Sequence, residues 1–400
     1  MTRKIPGFVF VLATALAVAT ASLYSQQAIQ GKGGDWATGP YDVVEGWPDN
    51  PCSEGYTFGS TGGIFAESPD RVFIFQRGCL PELPPDDDSV GERTSLVPSR
   101  NASGYSWSAK DPKRHPRREA IVYIVNREGT VIDTWDEHKD LFVRPHKVKI
   151  SPYDPERHVW IVEDGGHQVH KFTNDGKLVM SIGEFAVPGN DESHFDRPTD
   201  IAWLPDGTFF VSDGYNNTRV VKFDAKGKFL MAWGERGNDG TETRPGYMNT
   251  VHSIAVGSDR RVYVADRANA RIQVFDENGK FIDAWPNVRR PYYIYMAANN
   301  HLWVADGTTQ KFTKFNLKGD LLYAWGTFGA FPGGHWGPHQ ISVDSAGNLY
   351  TADVHVGRPQ KFTPKKGANR DHLIGMEIGW VDQSSGRLNR LGPLGERGSG

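Results

Sequence analysis

Only two cysteines, Cys52 and Cys79, occur in 400 residues. That count excludes a multi-bridge disulfide scaffold and a thiolate-rich metal cluster, and leaves one bridge as the most this chain can close. An excess of positive charge is missing too. The 45 Lys+Arg stand against 48 Asp+Glu for a formal charge of -3, so no electrostatic footprint for a phosphate backbone exists and nucleic acid is not an expected partner. Long apolar runs are also absent: the N-terminal one, Phe8 to Ala21, spans about 14 residues where a hydrocarbon core needs roughly 20. No stable membrane insertion is expected. Preceded by Arg3 and Lys4 and ending in Ala19-Thr20-Ala21, that run has the layout of an export signal over residues 1–21, cleaved after Ala21. A secreted or periplasmic protein follows, in a compartment where Cys52 and Cys79 are candidates for a disulfide; two buried free thiols are the alternative.

What the chain has in quantity is glycine (45), proline (25) and aromatic residues, with 12 Trp, 14 Tyr and 21 Phe. This mixture favours many short strands joined by tight turns. A repeat organises them. Five segments align: Pro145-His146-Lys147-Val148 to Glu163-Asp164, Pro198-Thr199-Asp200-Ile201 to Asp213, Val251-His252-Ser253-Ile254 to Asp266, Pro291-Tyr292-Tyr293-Ile294 to Asp306, and Pro338-His339-Gln340-Ile341 to Asp353. The first residue lies 15 positions before the closing Asp in four of them and 19 before Asp164 in the first. After each Asp comes an alternating stretch and a glycine turn, such as Asp224-Ala225-Lys226-Gly227. A sixth unit is split, with Gly62-Gly63-Ile64-Phe65 and Val72-Phe73-Ile74-Phe75 separated from Ile121–Val125 and Val131–Trp135.

Four short strands per unit and six units predict an all-β, six-bladed β-propeller, a ring that leaves no long edge exposed. The expected layout is a linker over residues 22–46, the propeller over 47–382 with an insertion at 79–118, and a disordered polar tail over 383–400. The insertion is either a lid over one mouth of the channel or a solvated surface loop.

In a propeller the innermost strands line the central channel, so one repeat position read round the ring is a circle of side chains at one depth. That slot holds Gly62, His146, Thr199, His252, Tyr292 and His339. Histidine recurs in every second unit. Alternate blades of six stand 120° apart, which aims three imidazoles at the axis, and three His with an open position form a coordination set for catalytic zinc. The competing reading makes each a hydrogen-bonded core histidine, and symmetry argues against it. Such a metal needs a proton acceptor and a charge partner nearby. Tyr215 and Arg267, after the closing Asp of two units, and Arg77, at the matching strand end of the split unit, are the candidates, because a guanidinium beside a tyrosine favours its phenolate.

These residues carry a resemblance. The repeats resemble NHL repeats, and Phe75-Gln76-Arg77-Gly78, Arg144-Pro145-His146, Asp213-Gly214-Tyr215-Asn216, Val251-His252-Ser253, Ala265-Asp266-Arg267 and Pro338-His339 are similar to the functional stretches of the peptidyl-α-hydroxyglycine α-amidating lyases. The likeness covers most of residues 47 to 365. It implies zinc on His146, His252 and His339, Tyr215 as base on an α-hydroxyl, Arg267 holding Tyr215 as phenolate and Arg77 meeting the substrate carboxylate. An N-(α-hydroxyglycine)-type peptide or small molecule would be cleaved to an amide and glyoxylate.

Three positions depart from that family. Gln340 stands where an acidic ligand of a structural calcium is expected, which puts calcium in doubt; Gly337 replaces a bulkier residue, and Asn216 replaces a cysteine. With no copper monooxygenase domain in the sequence, a separate hydroxylating enzyme or a small-molecule route is expected to supply the substrate. The alternative from another class is a non-catalytic NHL-repeat propeller that binds a protein or glycan. A lactonase-like hydrolase suits the site less well, because such sites use acidic and amide ligands rather than three His.

Overall fold

The computed structural model describes residues 37–82, 117–238, 242–286 and 288–380. The export signal, nearly all of the insertion and the polar tail lie outside them. Six antiparallel sheets of four strands each make the predicted propeller. Their inner strands are Thr61–Ser68, Pro145–Ile150, Pro198–Trp203, Val251–Val256, Pro291–Ala297 and Pro338–Val343, which define blades one to six. Among the described residues no helix is long and apolar enough to cross a membrane.

The glycine turns explain why each blade folds locally. In Asp224-Ala225-Lys226-Gly227 the Asp224 carboxylate accepts the Lys226 and Lys228 N–H groups, both at 2.9 Å, and Gly227 takes φ +84° where a side chain would be strained. Asp276 and Asn316 repeat the device in the next two blades. Blades three to five pack on the next blade through the tryptophan that closes the outer strand. Trp233 of blade three covers Gly279 of blade four, and Trp285 of blade four covers Gly319 of blade five; a Cβ on those glycines would stand 2.7 and 2.6 Å from the indoles.

The ring closes with the two ends of the chain. Tyr41–Val43 pairs antiparallel with Arg358–Pro364 and is the fourth strand of blade six. The linker expected over residues 22–46 therefore yields these three residues to the propeller, which begins before residue 47. A three-residue strand is too short to show alternation, and its partner lies more than 300 positions away. Cys52 and Cys79 form a disulfide. Just after it, Cys79 and Arg117 exchange backbone hydrogen bonds of 2.8 and 2.9 Å, which brings the two roots of the insertion together. At the opposite end of the inner strands, residues 373–380 cross the ring. Ala298 N–H donates to Met376 at 2.8 Å, Ile378 N–H to Met296 at 2.9 Å, and Trp380 packs edge-on against Phe65 of blade one.

Tyr41 joins both closures. It is fully buried against Trp325, and its hydroxyl accepts the Ile374 N–H at 2.8 Å. Replacing it with alanine is expected to cost about 3–5 kcal/mol, the range for a buried aromatic, seen as a lower urea midpoint with an unchanged slope. A loss under about 1 kcal/mol would show that the ring does not depend on this strand.

Candidate metal centre and active site

A break in strand register builds the site. In blade two Pro145 pairs with Glu163 and Lys147 with Val162, so His146 is an extra residue, and the inner strands of all six blades shift register at this point. A β-bulge re-aims its side chain and frees its backbone from the ladder. Both consequences are used. The Nδ1 of His146, His252 and His339 lies 2.5, 2.6 and 2.7 Å from the carbonyls of Thr199, Tyr292 and Gly62, the slot residues of the following blades. A carbonyl only accepts, so each Nδ1 carries the proton and each Nε2 keeps a lone pair; the Lys147 amine, 2.9 Å from His339 Nδ1 and held by burial well below its usual range, accepts there in its neutral form.

The three rings are buried, and their ligand nitrogens lie within 4.8 Å of one another. Burial, with the positive groups around them, holds all three pKa values well below the usual imidazole range, so the rings are neutral, the form that binds metal. The Tyr215 hydroxyl lies 3.1 Å from His146 Nε2 and 2.9 Å from His252 Nε2. One hydroxyl proton serves only one of those two lone pairs. A cation among the three nitrogens removes the shortage, so this donor set fits a divalent metal.

Calcium does not fit the next layer down. The Gln340 amide donates to Val148 O at 2.7 Å and accepts the Ile64 and Val148 N–H groups, both at 3.3 Å. Beside it, Lys147 Nζ donates to the His339 carbonyl, and Lys149 Nζ sits 3.0 Å from Asp200. Side-chain donors already hold the oxygens that a calcium ion would need.

Above the histidines opens a cavity of about 260 Å³, and the expected Tyr215, Arg267 and Arg77 all line it. Arg267 lies 5.0 Å from the Tyr215 ring centre and 5.1 Å from that of Tyr292. Arg77 and Arg267 each keep a buried Nε–H without an acceptor among the described residues. Desolvation pushes the Arg77 guanidinium below its ordinary range, which an incoming anion would reverse.

Register also corrects the repeat alignment. Pro145 pairs with Glu163, so Glu163 and not Asp164 is the closing acid of blade two. Like the closing aspartates, it caps a turn: its Oε1 accepts the N–H groups of Arg144, Gly165 and Gly166 at 2.7, 2.7 and 3.0 Å. Burial raises it to about 7. Asp164 is thereby displaced toward the mouth, where it takes the Arg144 guanidinium at 2.5 and 2.6 Å.

Sequence reasoning missed Arg144 and Arg197 as lining residues of the cavity. The signal was present: each precedes the proline that opens an inner strand, Arg144-Pro145 and Arg197-Pro198. Another missed neighbour is His355, whose ring fills the space a Cβ on Gly337 would enter at 2.4 Å. Gly337 has φ +72°, so the smaller residue suits both backbone and ring.

An NHL repeat model matches residues 248–275, the stretch that holds His252 and Arg267. The probable peptidyl-α-hydroxyglycine α-amidating lyase pgal-1 of Caenorhabditis elegans is 32% identical over 253 residues, covering 59% of this chain and 67% of that one. The peptidyl-glycine alpha-amidating monooxygenase B of Xenopus laevis is 32% identical over 336 residues, 80% of this chain and 36% of its own length. The chain thus spans about a third of that longer relative. Among solved structures, a putative gluconolactonase superimposes with a TM-score of 0.50 at 10% identity, covering 84% of this chain and 100% of that one, a likeness of fold alone.

Two outcomes are expected from this geometry. His252→Ala should drop bound divalent metal from near one equivalent to near none by elemental analysis, while the β-sheet circular dichroism persists; a variant that keeps its metal would show that the three nitrogens do not form the site. Millimolar calcium should leave the melting temperature of the metal-loaded protein unchanged, and a rise of several degrees would show a calcium site that the Gln340 layer argues against.

Proposed function

The chain belongs to the peptidyl-α-hydroxyglycine α-amidating lyase family, and from that membership we propose that it is an exported zinc-dependent lyase that cleaves N-(α-hydroxyglycine)-type substrates to an amide and glyoxylate. The observation that carries the reading is the placement of Tyr215: its hydroxyl stands within 3.1 Å of two metal-ligand nitrogens, and Arg267 lies beside its ring. A base and a metal site facing the same cavity are what this elimination requires.

His146, His252 and His339 would hold the zinc, which when bound supplies a Lewis acid that polarises the substrate hydroxyl. Arg77, with a buried Nε–H free to donate, binds the α-carboxylate and sets the hydroxyl toward Tyr215. Tyr215, with Arg267 beside its ring, is the base that takes the hydroxyl proton. The oxygen electron pair forms the glyoxylate carbonyl, the C–N bond breaks, and the nitrogen leaves as the amide after receiving from Tyr215 the proton that Tyr215 took, so atoms and charge balance. Residues 373–380 across the other end of the inner strands leave the arginine-lined mouth as the approach for substrate. The disulfide supports an oxidising compartment, with a separate hydroxylating reaction upstream.

The zinc-loaded protein is expected to release glyoxylate from α-hydroxyhippurate. Tyr215→Phe should lower kcat by roughly 10²- to 10⁴-fold, the range for a general base, with zinc content unchanged. Stoichiometric zinc with no turnover by the unaltered protein would replace this reading with that of a metal-containing binding module.

A further inference from the structure

One substrate carboxylate does not account for the charge at the mouth. Arg77, Arg144, Arg197 and Arg267 border the same cavity. Asp164 is the acid that meets them: it is bidentate to Arg144, while Arg197 Nη2 reaches it only at 3.5 Å. Glu163 makes no ion pair with any of the four: its Oε1 is taken by three backbone N–H groups, and its Oε2 is buried without a partner among the described residues. Allotting Arg77 to the α-carboxylate, Arg267 to Tyr215 and Asp164 to Arg144 leaves Arg197 without a full counter-ion among the described residues. Its guanidinium lies 4.2 Å from the Tyr215 ring centre, which fixes it at the wall, and 28% of the side chain stays open. A flat, immobilised guanidinium with free N–H edges is a carboxylate receptor.

We propose that the substrate carries a second carboxylate that docks on Arg197, with the Asp164-Arg144 pair bracing that wall. This rests on the lyase reading above. The reacting carbon already bears hydrogen, hydroxyl, nitrogen and the α-carboxylate, so the second acid belongs to the acyl portion. The substrate class is thus an α-hydroxyglycine amide of a dicarboxylic acid, and the product that leaves with glyoxylate is the half-amide of that acid.

The test compares N-succinyl-α-hydroxyglycine with N-pentanoyl-α-hydroxyglycine, acyl groups of similar length that differ in the terminal charge, on zinc-loaded full-length protein. The unaltered protein should favour the succinyl compound in kcat/KM by roughly 10- to 100-fold, the worth of one charge-assisted hydrogen bond. Arg197→Gln should bring that ratio close to one, and Arg197→Lys should restore part of it. A ratio near one in the unaltered protein overturns the proposal, and so does an Arg197→Gln variant that slows both compounds equally, since Arg197 would then act only through Tyr215. Binding of glutarate against butyrate, read as a shift in melting temperature, separates the two readings. If neither hydroxyglycine is cleaved but glutarate binds more tightly and Arg197→Gln abolishes the difference, the lyase reading fails and the subsite stands. Equal binding of the two acids overturns the subsite whatever the turnover.

Discussion

Each blade has, at the head of its inner strand, a residue that drops out of the pairing, and the protein uses it twice. In blades two, four and six the bulged residue is a histidine whose ring turns to the axis; in blades three, five and one it is Thr199, Tyr292 or Gly62, whose carbonyl receives that ring's Nδ1–H. The same three hydrogen bonds tie neighbouring blades together and fix the tautomer that leaves Nε2 free. Ring closure and ligand orientation are one interaction. A metal site built this way would rest on backbone atoms of a ring of sheets rather than on loops, which limits how far its ligands can drift.

Below that layer the axis is filled with groups that would be costly to bury alone. Lys149 pairs with Asp200 at 3.0 Å, and Asp200 also accepts from Ser253 at 2.6 Å. Glu377, raised to about 7 by burial, lies across the same end of the inner strands. Charges removed from water in this way persist only when paired or neutral. The packed interior of the axis leaves chemistry to the other mouth, where four guanidiniums face the cavity and Tyr215 reaches the histidines. Arg267 and Tyr215 are adjacent there although they come from different blades. The fold brings them together because the first or second residue after a closing acid, Arg267 after Asp266 and Tyr215 after Asp213, emerges at this rim.

Local periodicity made much of this legible. The spacing from inner-strand start to closing acid, the Asx-glycine turns and the alternate-slot histidines are short-range features, and they placed the propeller, His146, His252, His339, Tyr215, Arg267 and Arg77 at one mouth. Blade two shows where such reading stops. A longer connection between its first two strands hid which of Glu163 and Asp164 closes the blade, because counting residues does not reveal a bulge or a register. Arg144 and Arg197 were passed over for a related reason: an arginine before a proline has the same local appearance on a solvated turn as on a cavity wall.

By itself, then, the chain's order of residues determined the repeat, the number of sheets and the identity of the three alternating imidazoles, since each depends on contacts within one unit of hairpins. Only the tertiary structure decided that Tyr41–Val43 completes the last blade, and that four arginines, two of them paired with Asp164, share one cavity. Those outcomes depend on strand register and on contacts between residues far apart in the chain, where no local preference of the backbone or side chain carries the information.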